Sequence, residues 1–215
     1  TPYHHPVFGD QRLPEPSYWP EMRRICNEHG IVLIIDDVRA GWRLDIKGSG
    51  HYFGIRPDMA CFSKGMANGY AISMLVGLDK LRITASKAYM TGSFWMNSPE
   101  MAAALVCLAE MEALDAVKVV KELGEMLTKG LRERAEAHGL KVSITGPPAI
   151  PFMKFANETN FMRSQLFCGE AAKRGIFFHP HHNWFLSTAH TERDIAKSLD
   201  VADTCFGIVK EKFGG

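Results

Sequence analysis

An acid and an amine stand at the ends of two apolar runs. Ile34-Ile35-Asp36-Asp37-Val38 reads as a buried strand ending in a carboxylate. Phe62-Ser63-Lys64-Gly65 reads as an apolar run ending in a lysine, 28 positions after Asp36. A carboxylate and a lysine at two strand exits suit the chemistry of pyridoxal phosphate (PLP). That cofactor needs a carboxylate to keep its pyridine nitrogen protonated and a lysine to hold its aldehyde as a Schiff base. Strand-end carboxylates in open α/β sheets commonly face a ligand crevice. A lysine in a water-poor pocket is a better nucleophile, because its ammonium form is disfavoured there. Read singly, Asp36 equally suits a loop cap or, with Asp37, a metal ligand, and Lys64 equally suits a surface strand end. Gly65 and Gly69 leave room for a bulky group beside Lys64. Val38, two positions past Asp36, can pack against a flat ring.

Other residues can contribute. Thr91-Gly92-Ser93-Phe94 can present a hydroxyl and backbone N–H groups to a phosphate. Arg39 and Arg43 follow the acid pair, and Arg43 is a candidate partner for a substrate carboxylate, though a surface role suits either arginine equally. His179-Pro180-His181-His182 crowds three histidines around a proline without the converging spacing of a metal site, and no metal is expected.

The elements that must position these residues alternate between strand and helix. Residues 1–14 read as an extended loop and Pro16–His29 as a helix stopped by Gly30. Ile31–Ile35 predicts a strand buried on both faces. Short strands are expected within 57–63 and over Ile72–Val76, with a loop over 41–54. From Pro99 to about His138 the chain is strongly helical, with a break near Leu114–Ala116. Leu140–Ile144, Phe152–Phe155 and Ile176–His179 read as strands, Met162–Arg174 as a helix, and Thr191–Lys212 as an amphipathic helix capped by Thr191. The alternation predicts an α/β fold. Domains are expected over 1–115 and 116–215.

Composition excludes several classes. With 46% hydrophobic and 23% charged residues the chain reads as an ordinary globular protein. A net charge of +1 without a Lys/Arg run gives no reason to expect nucleic acid, and no apolar stretch reaches the length of a membrane helix. Five scattered cysteines without a CxxC pair imply free thiols in a reducing, cytoplasmic compartment.

The motifs together resemble a known family, the class III PLP-dependent aminotransferases. Residues 34–43 resemble its "DEV-x-x-G-F-R" segment. Tyr52-Phe53-Gly54-Ile55-Arg56-Pro57-Asp58, followed by Phe62-Ser63-Lys64-Gly65 and Asn68-Gly69-Tyr70, resembles its "FGV-x-PD" and lysine region. Gly92-Ser93-Phe94 and Asn97-Ser98-Pro99 resemble its "GT-x-x-x-NP" segment. Trp184–Thr191 is similar to the corresponding segment of the glutamate-1-semialdehyde aminomutase branch. Three departures stand out: Asp37 where the family has Glu, one extra residue before Pro99, and no arginine around Phe185–Ala189 for a substrate carboxylate.

The resemblance implies a PLP-dependent type I fold, represented by part of the large-domain sheet (residues 1–115) and the small C-terminal domain (116–215). It implies Lys64 as the Schiff-base lysine and proton shuttle, Asp36 on the pyridine nitrogen, Val38 on the ring face, Phe94 in cofactor binding, and Ser93 on the phosphate of the neighbouring subunit. The implied activity is transfer of an amino group between an amine or amino-acid donor and a carbonyl acceptor. An aminomutase or racemase, or a non-catalytic scaffold, is the alternative. The match is expected through the family's C-terminal half only. The expected partners are therefore a second copy, in a dimer with shared active sites, and a separate N-terminal half.

Overall fold

The computed structural model describes residues 1–6 and 9–214. The expected loop over 1–14 includes Val7 and Phe8, which lie outside the described residues. Two compact units are present. The first comprises Thr1–Pro2 and Pro14–Val117, and the second comprises Tyr3–Leu13 and Lys118–Gly215.

The first unit begins with α1 (Tyr18–Glu28), which buries Trp19 and Cys26, two turns apart on one face. Gly30, with φ +62, ends it, where a side chain would be strained. A three-stranded sheet follows: β1 (Ile34–Asp36), β2 (Met59–Phe62) and β3 (Met74–Gly77) in the order β1-β2-β3. β1 and β2 are parallel, with Ile34, Ile35 and Asp36 opposite Met59, Ala60 and Cys61. β3 returns antiparallel to β2. The strand at β1 is shorter and later than Ile31–Ile35, and its burial alternates. Ile35 is buried, while Ile34 and Asp36 are exposed. Its run of branched residues therefore contributes one inward residue, not a strand covered on both faces.

Between β1 and β2 the chain makes α2 (Ser49–Tyr52), where a loop was expected. After β3 come α3 (Arg82–Ala85) and α4 (Ser98–Ala113), and α5 (Ala116–Ala137) carries the chain into the second unit. Trp42, Ala60, Phe62, Met66, Ala67 and Ala104 form the core under the sheet.

The second unit packs α5 with a hairpin of β4 (Val142–Thr145) and β5 (Phe152–Phe155), then α6 (Met162–Lys173) and α7 (Glu192–Phe213). α5 buries Val120, Leu123, Leu127, Leu131 and Ala135, the spacing of a helical stripe. α7 starts with a capping box in which Thr191 and Asp194 satisfy each other's backbone N–H groups. Ile176–His179, expected as a strand, has no ladder partner among the described residues. Trp184 and Leu186 instead donate their N–H groups to Pro151 and Ala149. No helix among the described residues is long and apolar enough to cross a membrane.

Candidate functional site

The parallel pairing of β1 and β2 brings two chain exits to one end of the sheet. Asp36 stands opposite Cys61, and Lys64 follows Cys61 by three residues. Adjacent strands lie about 4.8 Å apart, so the two arms start as neighbours. The acid pair divides between the two faces, because successive strand residues point opposite ways. Asp36 is exposed, and its Oδ1 accepts the Val38 N–H at 3.1 Å. Asp37 is buried at 2% exposure. Its Oδ2 accepts the Ser49 N–H at 2.7 Å, and its Oδ1 accepts the Ser49 hydroxyl. Burial pushes the Asp37 carboxyl above its ordinary range, against the Ser49 hydrogen bonds that favour the carboxylate. Gly48 is required there, since a Cβ would lie 2.9 Å from Asp37 Oδ2.

Lys64 opens a 3-10 turn, Lys64–Met66, with a left-handed backbone (φ +45). For a residue with a side chain that conformation costs about 1–2 kcal/mol and persists only where neighbours impose it. Three contacts do so. Ser63 Oγ donates to Ile72 O at 2.7 Å, Met66 N donates to Ser63 O at 3.1 Å, and Cys107 Sγ on α4 donates to Gly65 O at 3.6 Å. Burial raises the Cys107 thiol above its ordinary range and keeps it in the protonated, donating form. Lys64 itself is exposed, and its amine takes no hydrogen bond or ion pair among the described residues.

Trp42 and Phe62 stack between the two arms, with ring centroids 4.6 Å apart and a 34° tilt. Gly41 makes this possible, since a Cβ there would lie 2.7 Å from Asp37 O and 2.8 Å from the Phe62 ring. Val38 is half-buried beside Asp36. Arg43 donates from Nη1 to Arg39 O at 2.7 Å, and its guanidinium lies against Gly65. Ser93 and Phe94 lie in an exposed turn before α4, with Phe94 84% exposed. Among the described residues no hydrogen bond joins Ser93 to Asp36 or Lys64. The structure thus brings Asp36, Val38, Arg43 and Lys64 onto two neighbouring arms through the paired strands, and sets Ser93 and Phe94 in the exposed turn before α4.

The Ser49 lock on Asp37 and the Cys107 contact with Gly65 escape the sequence reading. Gly48-Ser49-Gly50 carried a signal for the first, since small residues flanking a hydroxyl allow close approach to a buried acid. The second joins residues distant in the chain and leaves no local pattern. The histidines at 179, 181 and 182 form a cluster with His179–His182 centroids 5.9 Å apart. Among the described residues, no group of three or more His, Cys, Asp or Glu side chains is placed to hold a metal ion.

Comparison with known proteins places this geometry in a family. The family model "Aminotransferase class-III" matches residues 8–193. An aminopentol aminotransferase from Sphingopyxis macrogoltabida is 38% identical over 213 residues, covering 99% of this chain and 50% of that protein. A glutamate-1-semialdehyde 2,1-aminomutase from Anoxybacillus flavithermus is 29% identical over 94% of this chain and 50% of that protein. The structure of the PLP internal aldimine form of the FumI protein of Sphingopyxis sp. MTA144 superposes with a TM-score of 0.96. It is 37% identical and covers all of this chain and 52% of that one. The chain spans about half the length of the curated relatives it matches.

These findings correct two expectations. The expected match through a C-terminal half only, in the aminomutase-like branch, gives way to a family match over residues 8–193, nearly the whole chain. The aminopentol aminotransferase also exceeds the aminomutase in identity, 38% against 29%. The expected separate N-terminal half is corrected by the same span of the family match. With its α/β architecture and this superposition, the chain belongs to the class III aminotransferase family and has the PLP-dependent type I fold.

Proposed function

We propose that this chain carries the lysine and the acid of a PLP-dependent aminotransferase, which moves an amino group between an amine or amino-acid donor and a carbonyl acceptor. One observation carries the reading. The register of β1 on β2 sets an exposed carboxylate, Asp36, and an exposed amine, Lys64, at the same end of a parallel strand pair. The two groups fit PLP chemically, since one complements a protonated pyridine nitrogen and the other is a primary amine for an aldehyde. When bound, PLP supplies an electron sink and an aldehyde carbon that reacts with amines.

Each residue has a defined task in this reading. Asp36 holds the proton on the pyridine nitrogen through its carboxylate, already oriented by the Val38 N–H. Lys64 would hold the cofactor through its Nζ, which, once free, could move a proton as a general acid–base. The half-buried Val38 would offer its branched side chain to one ring face. Ser93 and Phe94 serve the phosphate, through a hydroxyl and a backbone N–H. Arg43, the sequence candidate for a substrate carboxylate, has its guanidinium engaged with the Arg39 carbonyl. Within the expected bounds of 1–115 and 116–215, the first compact unit then belongs to the large cofactor-binding domain and the second, which includes Tyr3–Leu13, to the small domain. A reducing, cytoplasmic setting is supported by five cysteines that are all unpaired.

The 38% identity to an aminopentol aminotransferase makes aminopentol the first donor to try. An aminomutase, the second reading, rests on the 29% identity to such an enzyme. It would convert its substrate without a separate carbonyl acceptor. The test is a visible spectrum of the purified chain with added PLP, followed by borohydride reduction and peptide mass spectrometry. A yellow protein that gains one pyridoxyl group on the Lys64 peptide is expected, and Lys64→Ala should lose both signals. A chain that binds no PLP and stays unmodified would sink the reading and leave a scaffold.

A further inference from the structure

We infer that Arg43 is a positioning residue that fixes the Lys64 turn relative to the Asp36 arm. This inference deepens the proposed function and rests on its reading of Lys64 as the reactive amine. The Asp36 arm closes in a tight series of backbone bonds: Gly41 N to Asp37 O at 2.8 Å, Arg43 N to Ala40 O at 3.0 Å, and Leu44 N to Ala40 O at 3.2 Å. Trp42, at φ +58, turns the chain immediately before Arg43. Arg43 Nη1 then donates back to Arg39 O at 2.7 Å, which fastens the guanidinium to its own arm.

From that anchored position the group reaches the other arm. A Cβ built on Gly65 would lie 3.5 Å from Nη1, 3.5 Å from Nη2 and 3.6 Å from Cζ of Arg43. Near-equal distances to three atoms of one plane mean that the flat face of the guanidinium, not its edge, covers Gly65. A planar, delocalised cation stacks in this way where a lysine ammonium does not. On α4, Cys107 Sγ contacts the Gly65 carbonyl at 3.6 Å. The guanidinium face thus lies about a methyl group's width from Gly65, whose carbonyl Cys107 contacts from α4. Lys64 has no side-chain bond of its own among the described residues, so the place of its amine depends on its backbone. Arg43 reaches that backbone from the arm carrying Asp36. Small displacements of a reacting group cost large factors in rate, so this coupling bears on catalysis without Arg43 touching substrate.

The experiment compares the wild-type chain with Arg43→Ala, Arg43→Lys and Gly65→Leu. Three readouts are taken: amide hydrogen exchange between Phe62 and Tyr70 without added PLP, the pH midpoint of the visible absorbance with PLP, and kinetics with carboxylate-bearing and carboxylate-free amine donors. Arg43→Ala should speed exchange in that segment about tenfold, leave β4 and β5 unchanged, and shift the absorbance midpoint. It should lower kcat alike for both donors with little change in KM. Gly65→Leu should reproduce this by displacing the guanidinium, and it decides the question if Arg43→Ala does not fold. Arg43→Lys should restore only part of the protection.

Wild-type exchange in both Arg43→Ala and Gly65→Leu overturns the inference. So does a rise in KM confined to carboxylate donors, which would make Arg43 a substrate-binding residue. Absence of a PLP absorbance in the wild type defeats the proposed function instead, and the exchange data then still decide whether Arg43 holds the turn.

Discussion

Trp42 and Phe62 meet with ring centroids 4.6 Å apart, and they lie on the two arms that carry Asp36 and Lys64. Both rings are buried, at 8% exposure each. Phe62 ends β2 two residues before Lys64, and Trp42 stands in the turn after Asp36, so their contact sets how the arms leave the sheet. Truncating Phe62 to Ala should cost about 3 kcal/mol of stability by lost burial and cavity formation. A double-mutant cycle with Trp42→Ala should give about 1 kcal/mol of coupling between the rings. Urea unfolding of the four proteins checks this. Strictly additive losses would mean that the rings pack independently.

Asp58 has a different task. It is buried at 2% exposure and accepts from Lys80 Nζ at 2.5 Å, from Arg23 Nη1 at 2.8 Å and from the Leu33 N–H at 2.9 Å. Lys80 first, then the Leu33 amide and Arg23, hold its carboxyl well below the usual carboxylate range. The folded state therefore prefers the ionised form more strongly than the unfolded chain, whose carboxyl titrates near ~4. This contribution is fully present above that pH and is lost as the pH falls toward the lower, folded value. Asp58→Asn should cost about 1–2 kcal/mol at pH 7, because it removes the buried charge that the partly exposed Arg23 and the exposed Lys80 share. Its stability should also fall less between pH 5 and pH 3 than that of the wild type. Parallel pH profiles from urea unfolding would count against the ion cluster as the cause.

The sequence makes the long helices legible and leaves the sheet and the side-chain locks less so. α5 declares itself through Val120, Leu123, Leu127, Leu131 and Ala135, and α7 through the Thr191 cap, because helical spacing and capping are local. β1 is harder to place. A run of branched residues does not say which of them faces inward, and only pairing with Met59–Cys61 decides it. Ile176–His179 has strand-like residues, but a strand needs a partner, and Ala149 and Pro151 take bonds from Trp184 and Leu186 instead. Asp36 and Lys64 stand out from their neighbours in sequence. Which of Asp36 and Asp37 is buried, and what leans on Gly65, depend on residues brought together only by the fold.

The histidine cluster should make stability depend on pH near neutrality. Burial, then His182 and His181, lower the His179 imidazole below its ordinary value. His179 Nδ1 also accepts the His181 N–H at 3.1 Å, a bond that protonation at Nδ1 would break. His181 Nε2 lies 3.1 Å from Gln165 Nε2 on α6, and its ring meets Phe161 edge-on. The unfolded chain takes up its proton at about pH 6.5, and the folded chain only lower. Stability is therefore full above that value and declines as the pH falls through it. His179→Gln should flatten the profile between pH 7.5 and 5 in urea unfolding, and an unchanged slope would remove His179 as the source.

Gly124 sits inside α5, where alanine would ordinarily stabilise a helix by about 1 kcal/mol. Here the opposite is expected. A Cβ at Gly124 would lie 2.0 Å from Pro148 O and 2.4 Å from Pro148 C, and both are backbone atoms that cannot rotate away. α5 thus passes the 147–150 turn at a distance only glycine permits. To admit a methyl group the turn must move, together with Ile150, whose carbonyl accepts from Gln11 Nε2 at 2.9 Å. Overpacking of this kind costs about 3 kcal/mol or more, which outweighs the helical gain. Gly169 in α6 supplies the control, because a Cβ there meets nothing within 4 Å. Gly169→Ala should raise the urea midpoint by the equivalent of about 0.5–1 kcal/mol while Gly124→Ala lowers it. Equal midpoints for the two variants would show that the turn yields freely and that the close approach contributes nothing to the second unit.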